Sequence, residues 1–234
     1  MPYITINEAK LYYEASGSGP DLLYLHGLFL DTGCYKPFLG FLSSSFRVYS
    51  LDLPCHGRSS DVHDPFSMAD MVSLIDGFVH RLGLKPVVFA HSAGALIAMH
   101  YASGNKRVMC LVLSSPPSSD TIGPGFLFRL FIIHPILSFF ESPLRALIMF
   151  SGAARNLLRT VKVYPKMLTG CVSDDVLKKI SAKTIIIWPR YDVLCPQSDR
   201  LKLIKSTRSF VIPTTHEWPV VRPELVKGII GEIK

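Results

Sequence analysis

Apolar and polar positions along the chain follow two rhythms. Short, continuously apolar runs stop at Gly, Pro, Asp or His, and between several of them the apolar positions recur every three or four residues. Near the start, Thr5-Ile6-Asn7 and Lys10-Leu11-Tyr12-Tyr13-Glu14 predict a hairpin, followed by the loop Gly17-Ser18-Gly19-Pro20. Leu22 to Leu25 is a short apolar strand ending at His26-Gly27, and Arg47 to Leu51 is another ending at Asp52-Leu53-Pro54. Met68, Met71, Val72, Ile75, Phe78, Val79 and Leu82 keep the helical period, and Gly83 stops that helix. Pro86 to Ala90 is then a buried strand, Ala95 to Tyr101 a helix, and Val108 to Leu113, Thr184 to Trp188 and Ser209 to Ile212 are strands.

Strands without alternation, separated by helical stretches, predict a mostly parallel sheet with helices on both faces. Between Pro116 and about Ala182 the strand rhythm gives way to helices rich in Phe, Leu and Ile. The expected organisation is an α/β core formed by residues 1–116 and 183–234, with a helical cap, 117–182, inserted between sheet strands.

Composition narrows the classes. At 234 residues and 48% apolar, with mean hydropathy +0.30, the chain is neither disordered, collagen-like nor a disulfide mini-protein. Its charge of +7 is spread out, with no run of five basic residues, and the aromatics are Phe of a buried type, so no nucleic-acid partner is expected. Five cysteines without a CxxC pair fit reduced thiols, and the first residues lack the basic and apolar regions of a secretory signal. Residues 126 to 150 hold 17 apolar positions of 25, but Arg129, His134, Pro135, Glu141, Pro143 and Arg145 interrupt them. The expectation is a cytoplasmic protein.

Candidate chemistry centres on Ala90-His91-Ser92-Ala93-Gly94, which follows a strand and opens a helix. A sharp turn there lifts the middle side chain out of the sheet and tolerates only small residues two positions to either side. It also points the Ala93 N–H, at the positive end of the new helix, toward the Ser92 hydroxyl. A serine hydroxyl is a weak acid and needs an imidazole as base, itself oriented by a carboxylate.

Of eight histidines, His80 and His100 sit in helical patterns, His134 in the cap, and His26, His56 and His63 at or after strand ends. His91 adjoins Ser92 in a turn, where neighbouring side chains diverge. His216, in the loop after the last strand, is placed to reach the carboxyl edge of the sheet, where open α/β sheets bind ligands. Asp192, after strand Thr184 to Trp188, is placed alike. Asp120 is the rival acid, and Asp52 reads as a residue that fixes its loop.

Ser92, Asp192 and His216, each following a different strand in the order Ser, Asp, His, resemble the catalytic triad of the α/β-hydrolase fold superfamily, in particular its capped esterase- and lipase-like members. The likeness spans nearly the whole chain. It rests on His26-Gly27-Leu28, on Asp52 to Ser59, on the turn around Ser92, and on Asp192-Val193-Leu194-Cys195-Pro196 with His216. The resemblance implies an oxyanion hole from the N–H groups of Leu28 and Ala93, and a lid where the 117–182 segment lies. It implies a hydrolase of carboxylic esters with an apolar acyl or alcohol part, acting without metal or organic cofactor. Carbon–carbon bond hydrolysis, amide cleavage, acyl transfer and non-catalytic ligand binding are the alternatives on the same scaffold.

Three departures from the family pattern stand out: Ala90 for the usual Gly, Cys55 for the first glycine of D-x-P-G-x-G-x-S, and Thr215 for a glycine before the histidine. The last two are expected to reshape the pocket mouth.

His26, Gly27, His91, Phe126 and Phe131 are the further candidates for substrate contact. Residues 126 to 166 carry six Arg/Lys against the single acid Glu141, interleaved with six Phe. That pattern suits a lid over an apolar acyl pocket and peripheral contact with an anionic membrane surface.

Overall fold

The computed structural model describes residues 3–63, 65–104, 107–118, 121, 123, 125–164 and 172–233. Strands β1 (Tyr3–Ile6) and β2 (Ala9–Ser16) form the expected hairpin, with Asn7 and Glu8 at φ of 45° and 69° in a tight two-residue turn. The remaining strands are β3 (Asp21–Leu25), β4 (Arg47–Leu51), β5 (Val87–His91), β6 (Cys110–Ser114), β7 (Lys183–Pro189) and β8 (Thr207–Ile212). They build one eight-stranded sheet in the order β1-β2-β4-β3-β5-β6-β7-β8. β2 runs antiparallel to its neighbours and β3 through β8 are parallel.

The continuous apolar runs are read out with a period of two. Leu23, Leu25, Val88, Leu111 and Ile186 enter the core on one face of the sheet, and Leu22, Tyr24, Phe89, Val112 and Ile187 enter the core on the other. On the first face lie helices α2 (Met68–Arg81), α3 (Ala93–Gly104) and the later Asp174–Lys179. A reciprocal box starts α2, in which Ser67 Oγ accepts the Asp70 N–H and the Asp70 carboxylate accepts the Ser67 N–H. Gly83, at φ +66°, ends it.

The second face is covered by α1 (Lys36–Ser43) and by the C-terminal segment. The C-terminal segment is a series of short helices, Trp218–Val221, Pro223–Gly228 and Ile230–Ile233, because Pro219 and Pro223 restart the chain without N–H groups to donate.

The segment between β6 and β7 is mostly helical among its described residues. Phe126–Phe128 (α4) runs through a wide turn, Arg129–Ile133, into α5 (His134–Glu141), and α6 (Pro143–Thr160) doubles back. The wide turn sits just before Pro135, which would otherwise interrupt an ordinary helical ladder. Among the described residues no helix is long and apolar enough to cross a membrane.

Candidate active site

Because β3 and β5 to β8 are parallel, the loops that follow them share one edge of the sheet. Ser92 follows β5, Asp192 follows β7 and His216 follows β8. Residues far apart in sequence are thereby neighbours in space. Ser92 Oγ lies 2.9 Å from His216 Nε2, and His216 Nδ1 lies 2.8 and 2.9 Å from the two Asp192 carboxylate oxygens. Asp120, the rival acid, is outside the described residues.

The turn around Ser92 is strained as the sequence requires. Ser92 has φ +52°, its N–H donates to the Ser114 carbonyl at 2.9 Å, and its carbonyl accepts the Ala95 N–H at 2.8 Å. Gly94 packs directly on the end of β3, and a methyl group there would lie 2.6 Å from the His26 carbonyl and closer still to that of Leu25. Ala90 is completely buried and its methyl group fits.

Asp192 is fixed from below. Its Oδ1 accepts the N–H groups of Leu194 and Cys195 at 2.9 and 2.8 Å. Burial pushes its carboxyl up, but the neighbouring His216 charge and these hydrogen bonds outweigh that and hold it below the usual carboxylate range. For His216, burial acts downward, and Asp192, then Glu217, more than reverse it, so its imidazole is more basic than a free one.

Behind His216 is a second buried carboxylate, which the sequence reading passed over. Glu217 Oε1 accepts the Tyr35 hydroxyl at 2.5 Å and lies 3.2 Å from His91 Nε2. Trp218 Nε1 donates to Ser114 Oγ at 2.8 Å, which is 3.2 Å from His91 Nδ1. His91, His216 and Glu217 therefore hold ligand-type atoms within 4.8 Å of one another. Both His216 nitrogens face Ser92 and Asp192, and Tyr35 donates to Glu217 Oε1.

Ser92 and His216 border a cavity of about 300 Å³. Leu28 and Ala93 border it too, as do Phe126, Phe131 and His134 from the β6–β7 segment. His26, Gly27 and His91 are not on its wall. His26 is fully buried, with Nε2 accepting the Leu53 N–H at 2.9 Å, and so ties two loops together instead of meeting substrate. Gly27 donates to the Tyr35 hydroxyl, and His91 is sealed between Glu217 and Ser114. Asp52 fixes its loop as expected, accepting the N–H groups of Thr32 and Arg58 at 2.8 and 2.9 Å.

Cys55 stands in its turn with the backbone conformation of the glycine it replaces. It takes φ +63°, the left-handed conformation that glycine adopts freely. Thr215 gains a new use, because Glu141 at the end of α5 accepts its N–H at 3.0 Å and its hydroxyl at 2.5 Å. A second tie joins the same helices to the loops after β3 and β4. Asn156 on α6 donates to the Phe29 carbonyl at 3.0 Å and to Asp31 at 3.1 Å, and accepts the Gly57 N–H at 2.8 Å.

The fold and the strand-end placement of these groups define an α/β hydrolase. The chain belongs to the alpha/beta hydrolase family, whose pattern matches residues 22–228. It is similar to a pimeloyl-[acyl-carrier protein] methyl ester esterase of Stenotrophomonas maltophilia, 32% identical over 104 residues, 44% of this chain and 38% of that protein. It is also similar to an (E)-2-((N-methylformamido)methylene)succinate hydrolase of Acinetobacter baylyi, 33% identical over 92 residues, 39% and 35% of the two chains. The matched stretches thus span well under half of these curated relatives. An enol-lactonase from Burkholderia xenovorans has the same fold, with a TM-score of 0.84 at 16% identity over 99% of both chains.

Proposed function

We propose that this hydrolase cleaves carboxylic esters that carry an apolar acyl or alcohol part, through an acyl-enzyme on Ser92. The observation that carries the reading is the hydrogen-bonded series Ser92–His216–Asp192 opening on an apolar cavity. His216 Nε2 takes the hydroxyl proton as Ser92 Oγ attacks the ester carbonyl, and Asp192 holds Nδ1–H and offsets the imidazolium charge. The oxyanion receives the N–H groups of Leu28 and Ala93, each worth about 3 kcal/mol to the transition state. Collapse breaks the C–O bond to the alcohol, which leaves with the proton from His216. Water, deprotonated by His216, then attacks the acyl carbon and frees Ser92 and the acid.

Helices α4 to α6 serve as the lid of this pocket, with Phe126 and Phe131 against the substrate's apolar part. The ester and lactone named for two of the similar proteins support this substrate class.

A fluorophosphonate probe tests the nucleophile, and p-nitrophenyl esters of increasing chain length test the substrate class. The expected result is labelling that Ser92→Ala abolishes, with turnover of the esters. Labelling without turnover of any ester sinks the ester assignment in favour of carbon–carbon, amide or transfer chemistry. An unlabelled wild type sinks the enzyme reading itself.

A further inference from the structure

Among the described residues sixteen large apolar side chains are left exposed, and twelve of them lie between residues 127 and 161. Phe140 and Leu144, at the junction of α5 and α6, are 79% and 76% exposed. The same helices also present Leu130, Phe150 and Leu157 inward to the cavity. Helices apolar on both sides are ordinarily covered on both sides. Here the inner side has the cavity and core, and among the described residues the outer side is left open.

Charge indicates what covers it. Glu141, the one acid in residues 126 to 166, is turned away onto Thr214 and Thr215. Arg155 and Arg159 are paired with Asp31 and Asp61. Among the described residues Arg129 donates to the Thr121 carbonyl, Arg145 shares the carboxylate of Glu224 with Arg222, and Lys162 is exposed. The excess charge carried by these helices is positive. A second copy docked face to face would set like charge against like. An anionic lipid surface offers both an apolar layer and the opposite charge.

We infer that the outer face of α4 to α6 is a docking surface for anionic lipid membranes. Adsorption there sets the helices that wall the cavity against the apolar phase from which an apolar ester would come. The inference concerns binding and needs no turnover, so it stands or falls separately from the proposed ester chemistry.

Flotation of the whole protein with phosphatidylcholine vesicles, with and without phosphatidylglycerol, tests it. Binding is expected to be strong with phosphatidylglycerol, weak without it and reduced at high salt. The double variant Phe140→Asp/Leu144→Asp should lower partitioning by about tenfold or more, since both side chains lose the apolar phase. Lys162→Glu should weaken binding only to the charged vesicles. Both variants change exposed positions and should keep the wild-type melting temperature. Failure to float with either vesicle overturns the inference, as does equal flotation of the double variant. A dimer in sedimentation velocity that the double variant dissolves makes a second copy the occupant and overturns it too. Flotation that persists in a protein inert toward every ester leaves this inference standing while the functional proposal falls.

Discussion

The hydroxyl of Tyr35 and the carboxylate of Glu217 meet at 2.5 Å beneath the base of the site, joining the turn before α1 to the residue after His216. Burial alone would favour a neutral Glu217. The charge and hydrogen bonding of His91, followed by the charge of His216, prevail and hold its carboxyl at about 2. A buried anion therefore sits behind Ser92 and His216, in addition to Asp192.

That anion helps to raise the basicity of His216, and general-base catalysis needs His216 unprotonated. The acid limb of kcat/KM should therefore have its midpoint above the free imidazole value of about 6.5. Glu217→Gln should move this limb to lower pH, whereas a residue of merely structural importance would lower activity at every pH alike. A pH–rate profile with a short-chain ester makes the measurement.

His134 gives a second pH signature, this time in stability. Burial, and then the His216 charge, lower its imidazole to about 4. The folded state thus resists a proton that the unfolded chain accepts near 6.5. Its contribution is complete above 6.5 and declines as pH falls toward 4, by about 3 kcal/mol in all. Chemical denaturation at pH 7 and pH 4 should show this loss, and His134→Leu should reduce it.

Asn156 is 1% exposed and its side chain satisfies groups on three loop residues, Phe29, Asp31 and Gly57. Asn156→Ala removes the partner of the half-buried Phe29 carbonyl and Gly57 N–H and leaves Asp31 Oδ2 to Arg155 alone, at about 1–3 kcal/mol for each group left unpaired. A drop in melting temperature of several degrees is expected. Asn156→Asp, which keeps the acceptor but sets a charge beside Asp31, should not restore it.

Gly94→Ala tests the close approach under the nucleophile turn. Its new methyl group meets the backbone carbonyls of Leu25 and His26, which cannot swing aside as a side chain would. The variant should be less stable by at least 1 kcal/mol on the order typical of overpacking, and should lose reactivity of Ser92 toward a fluorophosphonate. Ala90→Gly, on the other flank of the turn, should retain labelling.

The strands were legible because each is a run of apolar residues stopped by a polar turn, and every strand and the α2 helix fall within a few residues of their expected places. The sheet continues into His91 and Ser114, polar residues that pair across β5 and β6, which hydropathy could not include. Helix α1 was missed. Its apolar stripe spans only two turns and is broken by Pro37 and Gly40. Ser92, Asp192 and His216 could be picked out because strand ends single them out.

The supports could not be found the same way. Glu217 stood in the sequence as an ordinary loop acid, and Asn156 as one polar residue on a helix, since their partners are 182 and 127 residues away. The one available signal was the placing of Glu217 directly after His216. For His26 and His91, adjacency to motif residues suggested substrate contact, whereas their side chains turn into the protein.

Under the proposed chemistry, the order of elements divides the working groups in an uneven way. Leu28, Ser92 and Ala93 all precede the β6–β7 segment, and Asp192 and His216 both follow it. Severing the chain inside that segment would produce one piece with an attacking hydroxyl and no partner for its proton, and another with a proton acceptor and nothing to attack. Each piece would be inert, and reunion of the two, paired along β6 and β7, would be signalled by the return of turnover.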